Sequence, residues 1–299
     1  MAVAIETHGL TKDFGHGRGI FDLDVLVAEG EIAGYIGPNG AGKSTTIKLL
    51  FDLIRPTRGT AAIFGLDSHH DSVAVKRLVG YVPGELPDYH GLRGAEVVEL
   101  LARLRGGVAE QHIRDLAARF QLDLHEKFRD YSHGNKQKLM LVQAFMHEPR
   151  LLILDEPTLG LDPVMQKEFF ALVRERAAAG SSIFLSSHVL SEVERVADRI
   201  TIIGKGRLVK AGTLAELREM RVHRVEATFT GKLERRALSA IPGIDDIALA
   251  PGRLTCAVHG AFGPLLALLS RAGVTELDSQ ELSLEELFFD YYNQSPLAA

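Results

Sequence analysis

The chain has 299 residues, 46% of them hydrophobic and 24% charged, enough apolar material for one large core and a second small one. Its net charge of −5 supplies no basic field to neutralise a nucleic-acid backbone, so no nucleic acid is expected as a partner, and its single cysteine excludes an internal disulfide. The N-terminus lacks a basic stretch followed by a long apolar one, and no window approaches about 18 uninterrupted apolar residues, which predicts a cytosolic chain with no secretion signal and no membrane span.

Residues 3 to 30 read as two or three strands of an antiparallel edge, with a glycine-rich turn at Gly15, Gly17 and Gly19 and alternation through Leu23, Val25 and Val27. Phe14 lies in this edge upstream of the motif that follows; taken alone it reads as core, with adenine stacking as the alternative. Glu31–Ile36 is a short apolar run suited to a buried parallel strand, and Thr45–Phe51 reads as a helix carrying Ile47, Leu49 and Leu50. Between them stand Gly37, Pro38, Asn39, Gly40, Ala41, Gly42, Lys43, Ser44 and Thr45, a phosphate-binding loop matched at every fixed position. The glycines let the backbone curl around a polyphosphate and point its N–H groups inward, while the positive end of the next helix faces the same anion. Lys43 would then reach the outer phosphates of a bound nucleotide, and Ser44 would ligate Mg²⁺.

Thr60–Phe64 and Val79–Val82 read as strands, the second ending at Pro83 and Gly84. The intervening Asp67, His69, His70 and Asp71 have no metal-ligand spacing and read as a solvated loop. From Gly94 to Met146 the period turns helical, with one stripe of Val97, Val98, Leu100, Leu101 and Leu104 and another of Ile113, Leu116, Ala117 and Phe120. This helical insertion ends in a helix expected over Lys136–His147, which puts Ser132 and Gly134 at a helix N-terminus and makes a second anion site. Two anion sites on one chain suggest that the second serves a partner molecule's nucleotide.

Leu151–Leu154 is a buried strand with Asp155 and Glu156 at its C-terminal end, where ligands bind in parallel sheets. In a chain that already has the phosphate loop, Asp155 can hold Mg²⁺ through its water shell and Glu156 can take a proton from attacking water. A helix over residues 164 to 179, the strand Ser182–Ser186 with His188 just past its end, a helix Leu190–Ala197 and the strand Ile200–Ile203 follow. After a connecting helix, Leu214–Met220, strands and helices recur in the order βαββαβ from Val225 to Leu277, the ferredoxin-like split unit, with Cys256 on the apolar face of Leu254 and Val258 as a buried structural thiol. A final helix, Ser283–Tyr292, would carry an apolar stripe of Leu284, Leu287, Phe288 and Tyr291.

With these residues in place, residues 1 to about 213 resemble the ATP-binding subunit of an ABC transporter, of the exporter type that serves separately encoded membrane chains. The resemblance makes Phe14 the adenine-stacking aromatic, residues 37 to 45 the Walker A loop, Ser132–Asn135 the signature loop, Asp155 and Glu156 the Walker B pair, Gly160–Asp162 the D-loop and His188 the switch histidine. Its signature loop has His133 and Asn135 where glycine and glutamine are usual, and Gly84 stands where a glutamine follows the proline. The neighbouring Glu85 reaches the metal site only if that loop shifts by one residue.

The fold implied is an α/β P-loop NTPase over residues 1 to 213, with an antiparallel β edge and a helical insertion at about 85 to 147, plus a small α+β accessory domain over 222 to 299. The activity implied is ATP hydrolysis with Mg²⁺, in which Lys43, Glu156 and His188 are catalytic and Ser44 and Asp155 hold the metal. Nucleotide contacts fall to Phe14, Gly37, Asn39, Gly40, Gly42, Lys43, Ser44 and Thr45, with Ser132, Gly134 and Asp162 completing the site from a second copy. The partners implied are that second nucleotide-binding subunit and membrane-spanning permease chains that hold this one at the inner face of the membrane. A soluble relative acting on ribosomes or DNA is the rival reading, and the acidic balance and single nucleotide domain stand against it.

Overall fold

The computed structural model describes residues 2–219 and 222–281, and the chain divides into two compact units between Leu214 and Ala215. In the first unit the strands are β1 (Val3–Asp13), β2 (Gly19–Leu23), β3 (Leu26–Ala28), β4 (Ile32–Ile36), β5 (Arg58–Ile63), β6 (Leu66–Asp67), β7 (Val79–Val82), β8 (Leu151–Asp155), β9 (Ser182–Ser187), β10 (Arg199–Gly204) and β11 (Arg207–Thr213). Its helices are α1 (Lys43–Leu50), α2 (Ser72–Leu78), α3 (Gly94–Leu104), α4 (Glu110–Arg119), α5 (His133–Phe145), α6 (Pro163–Ala178) and α7 (Leu190–Val193).

One sheet is antiparallel, with the long β1 pairing β2, β3 and β5, and β6 continuing from β5. The other has six strands in the order β11-β10-β4-β9-β8-β7, parallel except for β11. Every residue of β4, β8 and β9 is buried, the pattern of strands covered on both faces. The register sets Ile36 beside Ser187 and Asp155 beside Ser186, so β4, β8 and β9 end level at their C-terminal edge. The segments beginning at Gly37, Glu156 and His188 therefore leave the sheet side by side.

Several boundaries differ from the sequence reading. The strand Arg207–Thr213 carries no apolar alternation because it is an edge strand with Gly212 as its only fully buried residue. In α3 the buried side is Val97, Val98 and Ala102, at helical spacing, which turns Leu100 and Leu104 away, leaving them 48% and 77% exposed. The helix expected from Lys136 starts at His133, because the Ser132 hydroxyl accepts the Asn135 N–H (3.1 Å) and caps it there. The helix expected to reach Ala197 stops at Val193. Tight turns follow it, and Asp198 is drawn to β4, its N–H bonding the Ile32 carbonyl (2.8 Å) and its carboxylate the Ile32 N–H (2.9 Å).

In the second unit, α8 (Leu214–Glu219) leads from the division to β12 (Val222–Phe229), α9 (Arg235–Ser239), β13 (Ile244–Ala250), β14 (Arg253–His259), α10 (Gly263–Arg271) and β15 (Val274–Glu281). The sheet order is β13-β14-β12-β15 with every pairing antiparallel. Its core packs Val225, Ala227, Phe229, Leu254 and Val258 against Leu265 and Leu269, and Cys256 is buried among them, which pushes its thiol pKa up. The helix expected at Ser283–Tyr292 lies outside the described residues.

Candidate functional site

The chain leaves β4 at Ile36 and enters α1 at Lys43, with Gly42 as N-cap at φ +112°, a backbone state that an L side chain resists. No side chain caps this helix, so the N–H groups of its first turn face outward, together with the positive end of the helix dipole. They open into a cavity of about 230 Å³ lined by the loop from Pro38 to Thr45, with Gly19, Phe14 and Glu156 on its walls. Phe14 is 49% exposed, so its ring belongs to this cavity rather than to the core. Backbone donors, one lysine and an accessible aromatic ring suit a nucleoside polyphosphate.

Lys43 is only 6% exposed and folds back over the loop. Its Nζ donates to the Gly37 carbonyl (2.6 Å) and more weakly to Pro38 (3.4 Å), and it pairs with Glu156 Oε1 at 3.2 Å. The other Glu156 oxygen, Oε2, lies 2.8 Å from His188 Nδ1 and accepts the His188 N–H at 3.4 Å. One carboxylate thus bridges a lysine and a histidine that stand far apart in sequence. Glu156 sits at φ +50°, a conformation that costs a non-glycine residue on the order of 1–3 kcal/mol and that clusters at functional positions. Its N–H reaches the carbonyl and hydroxyl of Ser186, each at 3.2 Å, which fixes the turn off β8.

Asp155 ends β8, 2% exposed, and accepts the Ser186 hydroxyl at 2.6 Å through Oδ1. A Cβ built on Gly84 would stand 2.7 Å from its Oδ2, so the loop after β7 runs against this carboxylate and a side chain there requires a shift. Glu85 lies elsewhere: it is 92% exposed with Lys48 at 3.9 Å. Burial, and then the charges of Asp155 and Glu85, push the Tyr81 pKa up to about 12. The Ser44 hydroxyl and the Asp155 carboxylate are hard oxygen donors of the kind Mg²⁺ takes.

Thus Asn39, Gly40, Gly42, Lys43, Ser44, Thr45, Phe14 and Glu156 meet at one cavity, Gly37 supports Lys43 through its carbonyl, and His188 joins through Glu156. Ser132, Gly134 and Asp162 are not on its walls. Ser132 caps α5, and Asp162 caps α6 by accepting the Val164 and Met165 N–H groups, both at 3.0 Å. Gly134 lets α5 approach the turn before α6, since a Cβ there would meet the Gly160 carbonyl at 2.6 Å.

Sequence reasoning passed over the polar residues that hold these groups. Ser186 ties Asp155 to Glu156, Glu192 accepts hydroxyls from Thr158 and Ser187, and the buried Gln137 amide donates to the Pro157 carbonyl at 3.0 Å. Two consecutive serines ending an apolar run, with a glutamate at helical spacing beyond the histidine, were the available signal.

A parallel sheet with this loop after one strand and an acid pair after another defines a P-loop nucleoside triphosphatase. Residues 20–159 match the ABC transporter family. The chain is 34% identical over 297 residues to the bacitracin transport ATP-binding protein BcrA of Enterococcus faecalis, covering 96% of each. It is 37% identical over 220 residues to the daunorubicin/doxorubicin resistance ATP-binding protein DrrA of Streptomyces peucetius, covering 72% of this chain and 67% of that one. A solved ATP-binding subunit of an ABC transporter superposes with a TM-score of 0.67 at 35% identity, over 72% of this chain and 92% of its own. The chain belongs to the ABC transporter family as an ATP-binding subunit, and its activity is ATP hydrolysis that powers transport.

Proposed function

We propose that this chain drives export of a drug, antibiotic or lipid through separate membrane-spanning subunits, held by them at the inner face of the membrane. The relatives named for bacitracin transport and for daunorubicin/doxorubicin resistance support that substrate class. Among the described residues no helix is long and apolar enough to cross a membrane, and the proposal places the transport path in the partner chains.

The observation that carries the reading is the Glu156 carboxylate lying between Lys43 and His188 at the mouth of the phosphate loop. Lys43 and the uncapped start of α1 bind the phosphates of ATP, and Phe14 stacks on its adenine. Ser44 and Asp155 would hold Mg²⁺, which would supply neutralising charge at the phosphates. Glu156 takes the proton of the attacking water, and His188, oriented by its bond to Glu156, contacts the γ-phosphate. Two copies pair head to tail, so that Ser132 and Gly134 at the exposed start of one copy's α5, with Asp162 nearby in sequence, close the cavity of the other. Binding closes the pair and hydrolysis reopens it.

Lys43→Ala tests the assignment. It removes the one lysine in the cradle and should abolish ATP binding and hydrolysis while circular dichroism shows an intact fold. Unchanged affinity and turnover would overturn the reading.

A further inference from the structure

The loop that carries His188 has little of its own to hold it. It joins β9 to α7, a helix of four residues, and a single helical turn is too short to be stable by its own hydrogen bonds. Its position is set by bonds to other parts of the unit. The Ser187 hydroxyl, 1% exposed and directly before His188, accepts the Val189 N–H at 2.9 Å and donates to Glu192 Oε2 at 3.2 Å. The same Glu192 oxygen accepts the hydroxyl of Thr158 at 2.8 Å, and Thr158 is 6% exposed in the turn that follows Glu156.

That turn is gripped from its other side as well. Gln137 of α5, 3% exposed, donates to the carbonyl of Pro157. Pro157 and Thr158 therefore sit between the helix capped by Ser132 and the loop of His188, one step beyond Glu156 in the chain. Hydrogen bonds to an ionised acceptor are stronger than neutral ones, and Glu192 makes two of them with the hydroxyls of buried residues.

We propose that Glu192 is a positioning residue for hydrolysis: it clamps the loop of His188 to the turn after Glu156, and so holds the 2.8 Å contact between His188 and Glu156. This rests on the reading that Glu156 and His188 act on ATP. Glu192 makes no hydrogen bond to either residue and acts only through the placement of His188. A merely structural bond would move stability alone, whereas a clamp on catalytic groups moves turnover and leaves substrate affinity in place.

The experiment measures kcat, KM for ATP and Tm in the full chain for Glu192→Ala, Glu192→Gln, Thr158→Val, His188→Ala and the pair Glu192→Ala with His188→Ala. Glu192→Ala should lower kcat about tenfold or more with KM within about twofold. Glu192→Gln keeps an acceptor oxygen and should restore most of the rate. Thr158→Val removes the clamp from the opposite side and should reproduce the kcat loss, so the test survives a Glu192→Ala chain that fails to fold. In the His188→Ala background Glu192→Ala should cost nothing further, because both changes act through the same histidine. Wild-type kcat in Glu192→Ala and Thr158→Val, or an equal further loss in the His188→Ala background, overturns the clamp alone. Wild-type turnover in His188→Ala overturns both the reading of the site and the clamp.

Discussion

The two ends of the strands in the six-stranded sheet use polar groups in different ways. At the edge where the parallel strands begin, three polar side chains are committed to backbone. Ser182 Oγ accepts the Gly30 N–H at 2.9 Å, Ser181 Oγ donates to the Pro149 carbonyl at 2.8 Å, and Asp198 accepts the Ile32 N–H at 2.9 Å. At the edge where the strands end, Glu156 pairs with both Lys43 and His188, Lys43 donates as well to the Gly37 carbonyl, and the serines and Glu192 behind them bond one another and Asp155. Backbone has a single arrangement, so the first edge is a joint. Side-chain charges can exchange one partner for another, so the second edge can accept a polyanion. The site lies where charge is paired with movable charge and not wherever polar groups meet backbone.

Glu156→Gln is the largest break that can be made in this contrast. It keeps size, removes the proton acceptor and should slow hydrolysis by about 10² to 10⁴-fold. Lys43 simultaneously loses its ion pair, so ATP should bind at least as tightly, and the ATP-bound pair should accumulate in size-exclusion chromatography with Mg-ATP. A chain that remains monomeric under those conditions would mean that charge release at this edge is not coupled to pairing. Phe14→Ala should act on binding alone, raising the KM for ATP by about 2- to 12-fold, equivalent to about 0.5–1.5 kcal/mol of stacking, with kcat unchanged.

The smallest effect belongs to the opposite edge and should appear in stability instead of turnover. His147 follows α5, and its ring nitrogens are buried without a well-formed hydrogen bond, although the Val79 backbone beside them favours the charged form. Burial first, and then Arg105, push its pKa down to about 4 from an ordinary 6.5. The unfolded chain therefore binds the proton more readily, and the stability supplied by neutral His147 is complete above about 6.5 and lost as pH falls toward 4. His147→Gln should flatten the urea midpoint across that window while turnover per folded molecule stays put. An unchanged pH slope would remove His147 from the account.

The phosphate loop was legible because its chemistry demands fixed residues at fixed spacing, between a strand and a helix that are themselves apolar. The acids and His188 were legible because they end buried strands, where an apolar run stops at a charged group. The edge strand Arg207–Thr213 was not, since solvent on most of its length leaves no alternation to read. Leu100 and Leu104 misled because composition suggests a stripe that the helical angle breaks. The bridge made by Glu156 and the clamp made by Glu192 depend on strand register, which places Asp155 beside Ser186, and no local pattern announces that pairing.

The composite site is tested most directly by mixing two inactive chains, one carrying Lys43→Ala and the other Ser132→Arg. In a mixed head-to-tail pair, one cavity has both changes and the other has neither, so ATP hydrolysis should return at up to about half the wild-type rate per mixed pair. No recovery in a sample shown to contain mixed pairs would contradict a site shared between two copies.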